Sequence, residues 1–260
     1  MQSLRYSRLS SQEELMTMLV FRSSPSKLLI ARNPRVCCSL VTSRAALFVT
    51  MLLALSALPA MAAPFRVTVA DPRGVPVVDA VVTMRPVSAS ARAGTRPSPP
   101  ANAQPVVIQQ VDREFVPRVT VVSAGSRVSL PNNDAVPHSV YSFSPAKQFE
   151  FDAYVGSSPQ VLTLDKPGII TLGCNIHDWM VGYIVVVDTP LAAQTDIHGA
   201  APFASVADGD YELRVWHPQQ RATDFVAQVT ASDQSRTQAV VVEVSPPRVR
   251  YKPPLGVKKY

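Results

Sequence analysis

From residue 65 onward the apolar residues come in short, β-branched runs of four to eight. Each run is closed by Pro, Gly, Asn or Asp, and none shows the spacing of an amphipathic helix. Candidate strands are 65–69, 77–84, 106–111, 118–122, 127–130, 139–143, 160–164, 169–172, 181–187, 211–216, 225–229 and 239–244. With 24 prolines in 260 residues, long helices are disfavoured along most of the chain. The pattern predicts an all-β protein of antiparallel sandwiches, and 47% hydrophobic residues suffice for a sizeable core in one or two domains.

The N-terminal part reads differently. Arg44 precedes an apolar run at 45–58 (AALFVTMLLALSAL) and then Pro59-Ala60-Met61-Ala62. A basic flank, a run of that length and a small-x-small site describe a secretory signal peptide, with cleavage expected after Ala62. The run is short against the ~20 residues that span a bilayer, so an uncleaved anchor is the lesser reading and no stable membrane insertion is expected after cleavage. Residues 1–43 hold Ser11-Gln12-Glu13-Glu14 ahead of LMTMLVF, compatible with a short capped helix. They are also unusual ahead of a signal peptide, and translation is expected to start later. Export through this leader places the remainder in the periplasm.

The leader also reallocates charge and cysteine. The formal charge is +6, yet residues 1–62 carry 7 Lys and Arg against 2 acids, leaving 18 against 17 in the rest. A near-neutral body is a poor nucleic-acid binder. The remaining basic run, Arg248, Arg250, Lys252, Lys258 and Lys259, reads as a solvated tail at 246–260. Cys37 and Cys38 fall within the leader, so Cys174 stands alone beyond it, without an intrachain partner.

Cys174 opens the most informative stretch, Cys174-Asn175-Ile176-His177-Asp178-Trp179-Met180, and 36 residues earlier stands Pro137-His138. One thiolate, two imidazoles and a thioether are the donor set of a trigonal copper centre with a weak axial Met. Cys-x-x-His-x-x-Met suits a tight loop between strands 169–172 and 181–187, with His138 on a neighbouring strand as the distant corner. Zinc favours Cys₄, Cys₃His or Cys₂His₂, or an open catalytic position, and neither pattern is present. Cys–His nucleophilic catalysis remains the enzymatic alternative, though it leaves Met180 without a purpose. Met180 could also serve simply as core, in which case three donors remain. Paired carboxylates, phosphate loops and nucleophile elbows are absent, so an enzyme is not indicated. His198 and His217 lack ligand-spaced partners and read as structural.

The strings FVPRVTVVSAGSRVSLPN (115–132), PNNDAVPHSV (131–140) and KPGIITLGCNIHDWMVGYIVVV (166–187) resemble the cupredoxin, or blue copper, family of the amicyanin and plastocyanin kind. That resemblance implies a Greek-key β-sandwich over 105–188 and one type 1 copper per chain. Its equatorial ligands would be His138, Cys174 and His177, with Met180 axial and Asn132 bracing the cysteine loop. It also implies single-electron transfer with transient redox partners, His177 as the electron port and Pro137 and Trp179 on the docking rim. Trp179 as a packed core residue is the equal alternative. Asp178 and Trp179 depart from the family's Pro-Phe pair, so redox properties do not transfer. Over its length the chain resembles bacterial proteins called methylamine utilization proteins.

The flanks carry a second resemblance. VTVADPRGVPVVDAVVTM (67–84), TDIHG (195–199) and DGDYELRV (208–215) resemble a carboxypeptidase-regulatory-like, or transthyretin-like, β-sandwich. It would occupy 64–87 plus 189–245, with a Pro/Ala/Ser-rich linker at 88–104. Insertion of 105–188 into this module and a tandem arrangement both satisfy the sequence. Copper handling without electron transfer, or an adhesion or scaffold role for the paired sandwiches, are the competing functional classes.

Overall fold

The computed structural model describes residues 62–88, 99–100, 103–221 and 224–246, without side chains for 157–159. The chain divides into two units, 1–58 and 59–260, and every described residue lies in the second. The expected leader up to residue 61, most of the linker and the tail beyond Pro246 lie outside the described residues.

Among the described residues all regular elements are strands. The chain runs through β1 (Ala63–Ala70), β2 (Val81–Pro86), β3 (Val106–Val107), β4 (Gln109–Val111), β5 (Glu114–Val116) and β6 (Val119–Ser123). It continues with β7 (Ser126–Asn132), β8 (Val140–Ser144), β9 (Lys147–Glu150), β10 (Gly156–Leu164), β11 (Gly168–Cys174) and β12 (Val181–Val187). The last five are β13 (Ala192–Gln194), β14 (Ala200–Val206), β15 (Gly209–Trp216), β16 (Phe225–Ala231) and β17 (Thr237–Val241). Among the described residues no helix is long and apolar enough to cross a membrane.

Four sheets result. The orders β14-β1-β17 and β13-β2-β15-β16 come from the two ends of the described chain; β10-β7-β4-β5 and β6-β12-β11-β8-β9 come from its middle. β1 and β2 pair only with strands more than a hundred residues later, so the middle strands fall between them in chain order.

Strict alternation builds the outer pair. Phe65, Val67 and Val69 of β1 and Tyr211, Leu213 and Val215 of β15 point into one core with Met84 and Phe203. Its turns interlock: the Thr195 hydroxyl donates to Val77 O (2.7 Å) and accepts the Ala80 N–H (2.8 Å). Gly199 sits beside this lock at φ +71°, where a Cβ would lie 2.4 Å from Val69 O. Asp79, at φ 62°, turns the chain just before β2, which is why the expected strand at 77–84 begins only at Val81.

The middle pair encloses a second core of Val128, Leu130, Val140, Ile170, Leu172, Met180 and Ile184, with Cys174 at its edge. β12 is buried on both faces. Ile184 and Val186 enter this core, while Val185 and Val187 meet Val81 and Val119 in a third cluster against the outer pair. A strand covered on both sides reads as the continuous apolar run seen at 181–187. Tyr183 and Trp216 meet edge-on there, ring centroids 5.6 Å apart, and Arg85 pairs with Asp188 at the margin.

Candidate metal centre

β11 delivers Cys174 as its last residue, and the chain turns through 175–180 before re-entering the sheet as β12. The Met180 N–H donates to His177 O (2.9 Å), closing this loop. β8 pairs with β11 in a register that sets Val140 opposite Cys174, and Asn175 N–H donates to Ser139 O (3.0 Å). His138, two residues ahead of β8, is thereby drawn to the cysteine loop. It exchanges backbone hydrogen bonds with Tyr154 at 3.0 and 3.1 Å.

Three donors converge. His138 Nδ1 lies 3.8 Å from Cys174 Sγ, His177 Nδ1 lies 3.7 Å from it, and the two nitrogens are 3.1 Å apart. A trigonal ion with bonds of ~2.0 Å to nitrogen and ~2.3 Å to sulfur requires N···S separations of about 3.7 Å and an N···N separation of about 3.5 Å. Both sulfur edges match, and the nitrogen edge is slightly short. His138 is fully buried, Cys174 is 5% exposed and His177 is half-buried, its ring edge-on to His138. Met180 is buried in the same core cluster as Cys174. His138, Cys174 and His177 form a group that could hold a metal ion, and their thiolate and imidazole donors fit a soft or borderline transition metal.

The surroundings shift the three groups in different directions. Burial alone would push the Cys174 thiol up, but the His138 hydrogen bond and backbone contacts at Ile176, Ser139 and His177 outweigh it and lower the thiol. Burial alone would push the His138 imidazole down, whereas its bonds to Cys174 and Asp134 raise it. For His177, burial and the charges of His138 and Arg113 act together to lower it.

Asn132, at the end of β7, is 1% exposed and ties the His138 loop: Nδ2 donates to Val136 O (2.9 Å) and Tyr154 O (2.7 Å), and Oδ1 accepts the Asp134 N–H (2.9 Å). Pro137 is exposed beside it. Trp179 is half-buried with its ring 5.2 Å from that of His177, so it covers the histidine as well as bordering the surface. His198 and His217 lie in the outer pair of sheets, in the turn before β14 and just after β15.

Sequence reasoning gave no role to three groups found here. The Asp134 carboxylate accepts a hydrogen bond from His138 Nε2–H (2.8 Å). Arg113 stands over the Trp179 ring, 5.7 Å from its centroid. Gln110, fully buried, joins Tyr154 OH (2.6 Å) and Leu130 O (3.1 Å) behind the histidine loop. An acid four residues before His138 was the available sign of the first; nothing local marks the other two.

No protein-family model matches the chain, and no curated protein does. Solved structures that resemble it include a Cu-containing nitrite reductase from Thermus scotoductus, at 24% identity and TM-score 0.32, covering 40% of this chain and 25% of that one. An oxidised amicyanin variant overlaps at 17% identity and TM-score 0.31, covering 40% and 99%. A purple cupredoxin from Nitrosopumilus maritimus overlaps at 20% identity and TM-score 0.29, covering 33% and 100%. The chain thus spans about a quarter of the reductase it matches. The metal assignment rests on the donor triangle.

Proposed function

We propose that the protein is an exported type 1 copper protein that carries single electrons between redox partners, without catalysis of its own. One observation carries this reading: two imidazole nitrogens and one thiolate sulfur meet in a mostly buried triangle of the size a trigonal ion needs. Bound copper would supply a one-electron couple, the soft sulfur suiting Cu(I) and the imidazoles Cu(II).

The chain's own residues keep the donors still. β8 and β11 fix His138 against Cys174, Asn132 braces the loop that carries His138, and Met180 closes the loop that carries His177. Donors that do not move between oxidation states keep the cost of electron transfer low. Burial of His138 and Cys174 excludes water, and the half-buried His177 with Trp179 forms the side nearest solvent. Transient redox contacts need less than ~1,200 Å² of interface, so a small rim there suffices for docking.

A periplasmic setting follows from the leader at 1–62, and a place in amine oxidation from the sequence resemblance alone.

The test is spectroscopic. Purified protein loaded with Cu(II) should be intensely coloured and reversibly reducible, with one copper per chain, and Cys174→Ser should abolish the colour while the fold is kept. A correctly folded, Cu(II)-loaded but colourless protein would refute the proposal.

A further inference from the structure

Asp134 is a carboxylate with three partners besides its own backbone. Its Oδ2 accepts from His138 Nε2–H (2.8 Å) and from the Arg113 backbone N–H (2.8 Å), and its Oδ1 accepts from the Asp112 backbone N–H (2.7 Å). The side chain is 13% exposed. Burial alone would raise this carboxyl, and the donors around it hold it low.

The two amides belong to one turn. Asp112 (φ 53°) and Arg113 (φ 59°) join β4 to β5 as a two-residue hairpin with both residues left-handed, a geometry that favours Asn-Gly. Here the turn is Asp-Arg, and the Asp134 carboxylate takes both of its N–H groups. The turn in turn directs a side chain: the Arg113 guanidinium lies 5.7 Å from the Trp179 ring centroid. Trp179 packs 5.2 Å from His177, and His177 packs 4.9 Å from His138. The contacts therefore close a ring, from Asp134 through His138, His177, Trp179 and Arg113 back to Asp134.

We propose that Asp134 is a positioning residue for both imidazoles: one carboxylate orients the His138 ring directly, and through the turn it fixes the Arg113–Trp179 pair that lies against His177. This deepens the copper reading and rests on it. A carboxylate behind a ligating imidazole fixes the ring's tautomer and strengthens it as a donor. Covering Trp179 with a cation placed by that same carboxylate joins the two metal-binding loops, although β4–β5 supplies no ligand.

The test uses the full chain with Asp134→Asn, which keeps an oxygen acceptor, and Asp134→Ala, which does not. In metal-free protein, heteronuclear NMR should show His138 protonated at Nε2 in the wild type. In Asp134→Ala the tautomer should mix, and the Trp179 indole and His177 ring signals should move with it. In copper-loaded protein, Cu(II) affinity should fall about 10- to 100-fold in Asp134→Ala and less in Asp134→Asn. Each tenfold loss borne by Cu(II) alone should raise the potential by about 59 mV. Arg113→Ala keeps the backbone amide, so the Asp134→Ala/Arg113→Ala double variant should lose less affinity than the product of the single losses.

Independent, multiplicative effects, or His138 signals that shift while those of Trp179 and His177 stay in place, overturn the proposal. So does a folded Asp134→Asn or Asp134→Ala whose copper affinity and potential equal those of the wild type. A wild-type protein that stays colourless with Cu(II) refutes the copper reading instead, and the metal-free NMR arms separate that failure from this one.

Discussion

Asn132→Ala isolates what holds the His138 loop in place. The side chain makes three hydrogen bonds, at 2.7, 2.9 and 2.9 Å, and is 1% exposed. Three bonds at a net ~1 kcal/mol each give about 3 kcal/mol, with the Tyr154 carbonyl still accepting the His138 backbone N–H after the change. For a body of this size that is a fall in Tm of about 6–12 °C. Urea unfolding followed by fluorescence reads it with some locality, because Trp179 lies beside the metal centre and Trp216 ends β15 of the outer pair. The transition seen by Trp179 should move to lower urea. A loss below about 1 kcal/mol, within the range of a single exposed bond, would refute the reasoning that Asn132 clamps the loop.

Gly199→Ala should destabilise by about 2–3 kcal/mol, because φ is +71° and the new Cβ would meet Val69 O at 2.4 Å; thermal melts measure it, and the copper spectrum should be unchanged. His217 accepts the Gln219 N–H at Nδ1 (3.2 Å), and burial pushes its imidazole below the ordinary range. The unfolded chain then takes up a proton near pH 6.5 that the native one resists, so this contribution is present above that pH and lost as the pH falls. Its slope is at most ~1.4 kcal/mol per pH unit, and urea midpoints from pH 7 to 5 should flatten in His217→Gln. Copper at a hundred times its Kd should stabilise the wild type by about 2.7 kcal/mol. A chelator, or Cys174→Ser, should remove that gain in a thermal melt.

The all-β class was legible because alternation and turn residues act locally. The run at 181–187 coincides with β12, and 211–216 falls inside β15. Strands β9, β13 and β14 were missed for a common reason. Lys147–Glu150 is polar, Ala192–Gln194 is small, and Ala200–Val206 contains a proline, so their extended form comes from pairing with β8, β2 and β1. Cys174, His177 and His138 could be singled out because their chemistry is distinctive and two of them share one loop. Asp134 stood in the same string, yet its bonds to Asp112 and Arg113 cross between strands more than twenty residues apart. Ordinary residue types brought together by register leave no local trace.

The late partners of β1 and β2 impose a schedule on assembly. As the chain emerges N-terminus first, these strands wait through more than a hundred residues for β13 to β17. The middle strands meanwhile have nearly all their neighbours at hand. Contacts that close short loops form sooner than those that close long ones. The middle sheets, which carry Cys174 and hold the loops of His138 and His177, can therefore condense first, and the outer pair completes its own core only after the last strand arrives.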